Sequence, residues 1–297
     1  MPKLWSIILN WNNYDDAVES IRSLLGSTLA TEIVLVDNGS TDGSYERLQE
    51  HFAGYHIYFI RNKANYGFAR GVNIGIKFAL SKGAEYIFLL NNDAVVSVTC
   101  LERLYVALQE NDRAGMAGPR IYYYSCPNKV WQGGGYFNKV KSGVVVPDKN
   151  KLDDDLKVCS TEVTFLTGCA MLIKQEVFQR VGFFDEDYYF YYEDVDFCLR
   201  TIRMGFKLLY VPTAKAWHKI EDIARDRSSP FVMYHLSCGH FLMLRKNFST
   251  PYVLYGLAVY VCFYLPYRIL QIIIGTRSCQ SLAACIRGTL KGLVRRR

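Results

Sequence analysis

The strongest constraint on this chain is an alternation, over its first 110 residues, of short apolar runs with segments of helical period. Strands read at 4–10, 32–36, 56–60 and 85–90, and helices near 14–25, 42–51, 69–82 and 99–111. β-branched runs separated by helices long enough to cross a sheet predict an α/β domain with a mostly parallel sheet. In open sheets of that kind, ligands gather beyond the carboxyl ends of the strands. Each strand here ends in polar residues. The first delivers Asn10-Trp11-Asn12-Asn13, the second Asp37-Asn38-Gly39-Ser40-Thr41-Asp42, the third Arg61-Asn62 and the fourth Asn91-Asn92-Asp93.

Beyond residue 114 the pattern loosens into GMAGPRIYYY, VWQGGGYFN and VTFLTGCAMLI, strand-like pieces around a polar loop at KNKLDDDLK. The nine cysteines are scattered without a CxxC pair, which predicts free thiols in a reducing compartment and no zinc site. The N-terminal PKLWSIILNW has no basic n-region or cleavage site and reads as a first strand, not a secretion signal.

Three clusters carry candidate chemistry, each beside a plainer reading. DNGSTDGS fits a turn and helix cap, yet Asp37 precedes the turn and emerges directly from an apolar strand. In NYGFARGVNIG, Gly67, Gly71 and Gly75 recur every four residues, as a face for close helix packing requires. The same stretch sets Asn65 before a helix and Arg70 and Asn73 in its first turns, where amide N–H groups and arginines hold phosphate oxygens. In FYYEDVDFCLR, Glu193, Asp194 and Asp196 open a helix. Acids there complement the helix dipole, and a carboxylate among aromatic walls is also suited to proton abstraction. His218 follows the apolar strand of KLLYVPTAKAWHK, beside Trp217.

The ordered set IILNWNN, VLVDNGSTDGS, NYGFARGVNIG, FLLNNDAVV, TGCAMLI, GFFDEDYYFYYEDVDFCLR and YVPTAKAWH resembles the family 2 glycosyltransferases of GT-A fold, and most of all their bacterial rhamnosyltransferase branch. The resemblance spans residues 4 to 220. It implies an inverting transfer of a sugar, dTDP-rhamnose first and UDP-sugars behind it, to a hydroxyl of a glycan or lipid-linked acceptor in cell-surface polysaccharide synthesis. By the same resemblance Asp37 holds the donor nucleobase with Asn10 and Trp11. Asn65, Gly67, Arg70 and Asn73 lie on the donor side, and Asn91 and Asn92 border it. Asp93 stands at the DxD-type position and, with His218, implies a divalent cation, Mn²⁺ or Mg²⁺. Asp194 resembles the catalytic base and Glu193 its helper. Adjacent helix residues point about 100° apart, which leads us to expect only one of the two to face the donor. NND offers one carboxylate where many relatives have more.

Charge divides the chain at residue 226. The first 226 residues carry 25 basic and 28 acidic groups, and the remainder has ten Lys and Arg with no Asp or Glu. A catalytic domain over 1–226 and a basic, apolar helical extension over 227–297 follow. Within the extension, residues 228–249 read as helix, and 252–275 is long enough to span a bilayer, although Pro266 and Arg268 interrupt it. A spanning segment would put the basic end outside the cytoplasm, against the positive-inside tendency. The last segment places Leu282, Ile286, Leu290 and Leu293 on one helical face and Arg287, Lys291 and Arg295 toward the other, which suits an in-plane helix on anionic lipid. Attachment to the cytoplasmic face of the inner or plasma membrane is the expectation, with burial in the core or a dimer interface as the alternative. Nucleic acid is not expected, because the tail's charges flank apolar runs without a basic groove. Two other function classes stay open, a nucleotidyltransferase on a similar scaffold and a silent nucleotide-sugar-binding protein.

Overall fold

The computed structural model describes residues 2–153, 159–220, 229–274 and 278–294. The expectations placed on residues 154–157 of the polar loop and on Arg227, Arg277, Arg295, Arg296 and Arg297 lie outside these. The four leading strands are β1 (Leu4–Asn10), β2 (Glu32–Asp37), β3 (Ile57–Arg61) and β4 (Tyr86–Asn91). They alternate with α1 (Tyr14–Leu25), α2 (Ser44–His51) and α3 (Phe68–Ser81), as the periodicity predicts. A short β5 (Ala94–Val96) and α4 (Cys100–Gln109) lead into the second half. That half contains β6 (Ala114–Tyr123), β7 (Cys126–Gln132), β8 (Tyr136–Asn138), β9 (Gly143–Val145), β10 (Thr161–Val163), β11 (Ala170–Lys174), α5 (Gln175–Val181), α6 (Glu193–Arg203) and β12 (Lys207–His218).

The main sheet runs β10-β12-β6-β11-β4-β1-β2-β3. Pairing is parallel for β1 with β2 and β4, for β2 with β3 and for β12 with β6, whereas β11 and β10 run against their neighbours. The sheet is therefore mixed, with most strands on this path in one direction. Period-2 alternation divides the strands between two layers. Trp5, Ile7, Val34 and Val36 face α3, while Leu4, Ile8, Ile33 and Leu35 face α1, α2 and α4. Gly71 and Gly75 form the expected close-packing face: a Cβ at either would lie 2.6 Å from the side chains of Leu9 or Ile7. Gly67 belongs to the loop before α3, at φ 79°, where a Cβ would sit 2.4 Å from the Tyr189 carbonyl oxygen.

Three helices follow: α7 (Pro230–Asn247), α8 (Thr250–Ile274, with a π turn at Tyr260–Tyr264) and α9 (Cys279–Val294). The π turn directly precedes Pro266, whose ring nitrogen has no hydrogen to give the helix ladder. These helices are not a loose appendage. Met233, Phe241, Leu244, Tyr260, Ile272 and Cys285 join the apolar layer of the catalytic body. α9 packs against the body through its small residues. Its buried residues are Ser281, Ala284, Cys285, Gly288 and Gly292, whereas Ile286 and Leu290 point outward at 48% and 57% exposure. Backbone approach decides this, since a Cβ at Gly288 would stand 2.3 Å from the Tyr234 carbonyl oxygen, too close for a larger residue on that face.

Candidate active site

Pairing between β5 and β12 builds the centre of the site. His218 is in register with Ala94, which brings its imidazole onto the residue preceding Ala94, and Nε2 lies 2.9 Å from Asp93 Oδ1. His218 is 3% exposed and leans against the Trp131 ring, 4.5 Å between centroids. Burial opposes its protonation, but the Cys169 thiol and the Asp93 carboxylate outweigh it and push the imidazole up to about 10. Among the described residues no cluster of three or more His, Cys, Asp or Glu side chains is arranged for a metal. The Asp93–His218 contact is a hydrogen bond; with the imidazole proton released, the pair would fit two neighbouring positions on one ion. Adjacent vertices of an octahedral shell with bonds of about 2.1 Å are about 3 Å apart.

The other strand ends join this pair through a chain of amides. Asn92 Nδ2 donates to Asn10 Oδ1 at 2.8 Å, and Asn10 Nδ2 reaches Ser44 Oγ at 3.4 Å. Asn10 is in register with Asp37. Asp37 is fully buried; its Oδ2 accepts the Gly39 and Ser40 N–H groups, while Oδ1 has no partner. A buried carboxylate oxygen left open is costly, so it marks a place where a ligand donor fits. Trp11 stands beside this corner, 52% exposed.

The loop before α3 is held by amides as well. Asn38 Nδ2 donates to Asn65 Oδ1 and to the Gly67 carbonyl, and Asn65 Oδ1 also accepts the Gly67 N–H. Arg70 is half-exposed, with its guanidinium 4.2 Å from the Tyr66 ring centre and 3.9 Å from Glu186. Asn73 turns elsewhere. It is fully buried, and its amide both donates to and accepts from the Phe184 backbone and reaches Glu186. Its side chain is spent inside the fold, away from the rim where the sequence expectation put it.

A cavity of about 510 Å³ opens next to the Asp93–His218 pair, with Asn91, Thr167, Gly168, Cys169, Glu193, Asp194 and His218 along one side. Both acids at the start of α6 line it, contrary to the expectation that only one would. Tyr191 and Tyr192 precede the helix at φ 69° and 72°, in the left-handed region, so the chain enters α6 through a tight turn that delivers both carboxylates to one space. Asp194 accepts the Gly168 and Val195 N–H groups at 3.1 and 2.8 Å. Burial raises its pKa against the lowering effect of these bonds. Glu193 lacks such support. It is buried with Oε2 unpartnered, and burial followed by the neighbouring Asp194 charge holds its carboxyl well above the usual range. Asp196 belongs to the scaffold, paired with Arg200 at 2.7 Å and bonded to Asn247 of α7.

The rest of the cavity lining includes residues from elements in which the sequence showed no site: Trp131 and Gln132 of β7, Val232 and Leu236 of α7, and Tyr264, Arg268 and Gln271 of α8. One signal existed for Arg268, a lone charge interrupting an apolar run. Trp131 gave none.

Comparison with known proteins bears on the family and the fold. The chain is 28% identical over 232 residues to "dTDP-rhamnosyl transferase RfbF" of Shigella flexneri, covering 72% of this chain and 71% of that protein. It is 29% identical over 253 residues to "N-acetylglucosaminyl-diphospho-decaprenol L-rhamnosyltransferase" of Mycobacterium tuberculosis, covering 76% and 80%. In fold it matches a mannosyltransferase from Pyrobaculum calidifontis, solved with GDP-Man and Mn²⁺, at a TM-score of 0.60 with 14% identity, covering all of this chain and 88% of that one. GalNAc-T7, solved with UDP, GalNAc and Mn²⁺, matches at 0.62 with 16% identity, covering 88% of this chain and 57% of that one. The α/β architecture is thus GT-A-like. The pattern described as "Glycosyl transferase family 2" matches residues 6–182, the stretch that carries β1 through β11 and the Asn91-Asn92-Asp93 corner, and the chain belongs to that family.

Proposed function

We propose that this glycosyltransferase moves a hexose, with L-rhamnose from dTDP-rhamnose as the first choice, from a nucleotide diphosphate donor to a hydroxyl of a lipid-linked glycan, with inversion. The observation that carries the reading is one cavity lined by both Asp194 and His218, with Asp93 hydrogen-bonded to His218. The rhamnosyltransferase names of the relatives support the choice of sugar.

In this reading the unpartnered Oδ1 of Asp37 accepts an N–H of the donor base, with Trp11 beside it. Asn65 and Gly67 shape the donor loop, Arg70 is free to turn toward the diphosphate, and Asn73 keeps α3 in position. Asn92 orients Asn10 and borders the ribose, and Asn91 borders the sugar. Asp93 and His218 would hold Mn²⁺ or Mg²⁺. The ion supplies Lewis-acid neutralisation of the leaving diphosphate, in line with the Mn²⁺ of the structural neighbours.

Asp194 removes the acceptor proton as the acceptor oxygen bonds to the anomeric carbon and the anomeric C–O bond to phosphate breaks. Two backbone N–H bonds and the α6 N-terminus favour its ionised form against the burial that raises it. Glu193, held toward its neutral form, donates or accepts a hydrogen bond that positions the acceptor. Neighbouring carboxyls with pKa values pushed apart divide base and positioning roles in this way.

In this reading the C-terminal helices seat the enzyme on a membrane surface. Outward-facing Leu254, Phe263, Leu270 and Ile274 of α8 and Ile286, Leu290 and Val294 of α9 would enter the interface beside Arg287 and Lys291. α8 is also long and apolar enough to cross a bilayer by length and composition, but its other face packs on the catalytic body, which favours an in-plane seat.

The test is product analysis with dTDP-rhamnose, UDP-sugars and a prenyl-diphosphate-linked N-acetylglucosamine acceptor, in Mn²⁺ and in EDTA. Rhamnosyl transfer that stops in EDTA supports the proposal. Release of pyrophosphate from a nucleoside triphosphate would instead establish a nucleotidyltransferase, and nucleotide-sugar binding without turnover a silent protein.

A further inference from the structure

The cavity lined by Glu193 and Asp194 also carries a charge that the transfer chemistry does not use. Arg268 of α8 lines the cavity and is 8% exposed. Among the described residues it makes no ion pair with a carboxylate. One guanidinium nitrogen, Nη1, donates to Ser237 Oγ at 2.8 Å, and its Cζ lies 5.5 Å from the Tyr260 ring centre. Ser237 is already occupied by the Met233 carbonyl and the Tyr260 hydroxyl, so it supplies a fixed dipole and no charge. His240, near by on α7, is pushed down to about 3 by burial and by Arg268, and stays neutral. A guanidinium has five N–H donors in a planar fork that matches phosphate oxygens. Buried charges in folded proteins are paired or hold a ligand, and among the described residues no carboxylate pairs with this one; its printed partner is the neutral Ser237 hydroxyl.

The surroundings decide which anion. Gln271, one turn along α8, also lines the cavity and adds a neutral donor, and Lys149 belongs to the same lining. Tyr267 and Leu270, beside Arg268 in the helix, are 59% and 53% exposed, so the same helix leads from the buried charge to an outward apolar surface. A soluble anion would gain nothing from that continuity. An amphiphile with a phosphate head and a hydrocarbon chain matches both parts.

We propose that Arg268, assisted by Gln271, binds a phosphate of a prenyl-diphosphate-linked acceptor, with the hydrocarbon chain leaving the cavity along the exposed side of α8. This rests on the reading of the cavity as the acceptor's entrance. The phosphate then sets how far the glycan reaches toward Asp194, so the subsite selects acceptors by their distance from the lipid as well as by their sugar.

The full chain, in neutral detergent with EDTA to prevent metal-dependent binding of diphosphate at the donor side, is titrated calorimetrically with farnesyl diphosphate, farnesol and inorganic pyrophosphate. Wild type is expected to bind farnesyl diphosphate at least ten-fold more tightly than either of the others. Arg268→Gln should lose at least ten-fold for farnesyl diphosphate and leave farnesol unchanged, while Arg268→Lys retains part of the preference. Equal binding of farnesyl diphosphate by wild type and Arg268→Gln overturns the proposal. So does a wild type that does not distinguish farnesyl diphosphate from farnesol, a comparison that holds even should Arg268→Gln fail to fold. Pyrophosphate binding as tight as farnesyl diphosphate overturns the lipid source. Loss of sugar transfer in the product assay, with the prenyl selectivity intact, would count against the donor reading and leave the Arg268 subsite standing.

Discussion

His218 Nε2 and Asp93 Oδ1 lie 2.9 Å apart although 125 positions separate them in the chain, joined by the antiparallel register of β12 on β5. The contact gives one carboxylate and one imidazole to a corner where a relative with a full DxD motif has more acids. In the proposed reading, an ion held by these two residues would draw the rest of its shell from donor phosphate oxygens and water.

Asp93→Ala and His218→Ala should therefore each weaken Mn²⁺-dependent donor binding by at least ten-fold, as removing one of two protein ligands leaves mainly phosphate and water. Calorimetry of the donor with and without Mn²⁺ measures this. Full transfer activity in EDTA would eliminate the metal role.

Asp194→Asn should lower transfer by about 10²–10⁴-fold, the range for loss of a general base, with donor affinity within two-fold of wild type. Donor contacts are assigned to the Asp37 and Asp93 corners, so a parallel loss of donor binding would show that Asp194 is needed for structure.

The pH dependence follows from the raised acids at the start of α6. Asp194 must be ionised to act, so the acidic limb of kcat/KM should lie above the ordinary Asp value of 3.8. For stability the sign is opposite to that of a salt-bridged carboxylate. Glu193 binds its proton more tightly folded than unfolded, so its contribution is fully present below the usual 4.5 and is lost as pH rises through the higher folded value. Melting curves across that window should decline less with pH in Glu193→Gln than in wild type, and identical slopes would contradict the assignment.

Gly288→Val should destabilise the protein by about 1–3 kcal/mol, the usual range for overpacking, because a Cβ there meets the Tyr234 backbone at 2.3 Å. Thermal unfolding checks it. An unchanged melting point would mean that α9 does not pack on α7 in solution.

Phe263→Lys combined with Leu290→Lys should detach the protein from anionic vesicles in a flotation assay without lowering the melting point, since both side chains point outward at 71% and 57% exposure. Neutralising Arg287 and Lys291 should weaken attachment by about 1 kcal/mol per charge, and salt should mimic that change. Truncation before α8 is a poor substitute, because it strips Tyr260, Ile272 and Cys285 from the core and should lower the melting point sharply. Vesicle binding that survives Phe263→Lys with Leu290→Lys would refute the surface seat.

The residues beside the strand ends were legible in the sequence because period and burial are local properties. An apolar run ending in Asp37 or in Asn91-Asn92-Asp93 can place those groups only at a sheet edge, and Gly71 and Gly75 signal close helix packing by spacing alone. Register, turn handedness and long-range packing are not local. The left-handed turn at Tyr191–Tyr192 turned Glu193 and Asp194 into one cavity, where helical geometry alone set them apart. Asn73 followed the period of its helix into the interior, where the Phe184 backbone takes its amide. That α9 docks through Gly288 was not legible, because it depends on the Tyr234 backbone, which would stand 2.3 Å from a Cβ there. Arg268 looked like an interruption in a membrane segment and became part of a cavity wall only when α8 folded back on the catalytic body. Sequence determined which groups the protein possesses and the sheet edge that most of them reach; tertiary contacts, which carry no local period, decided which of them face one another.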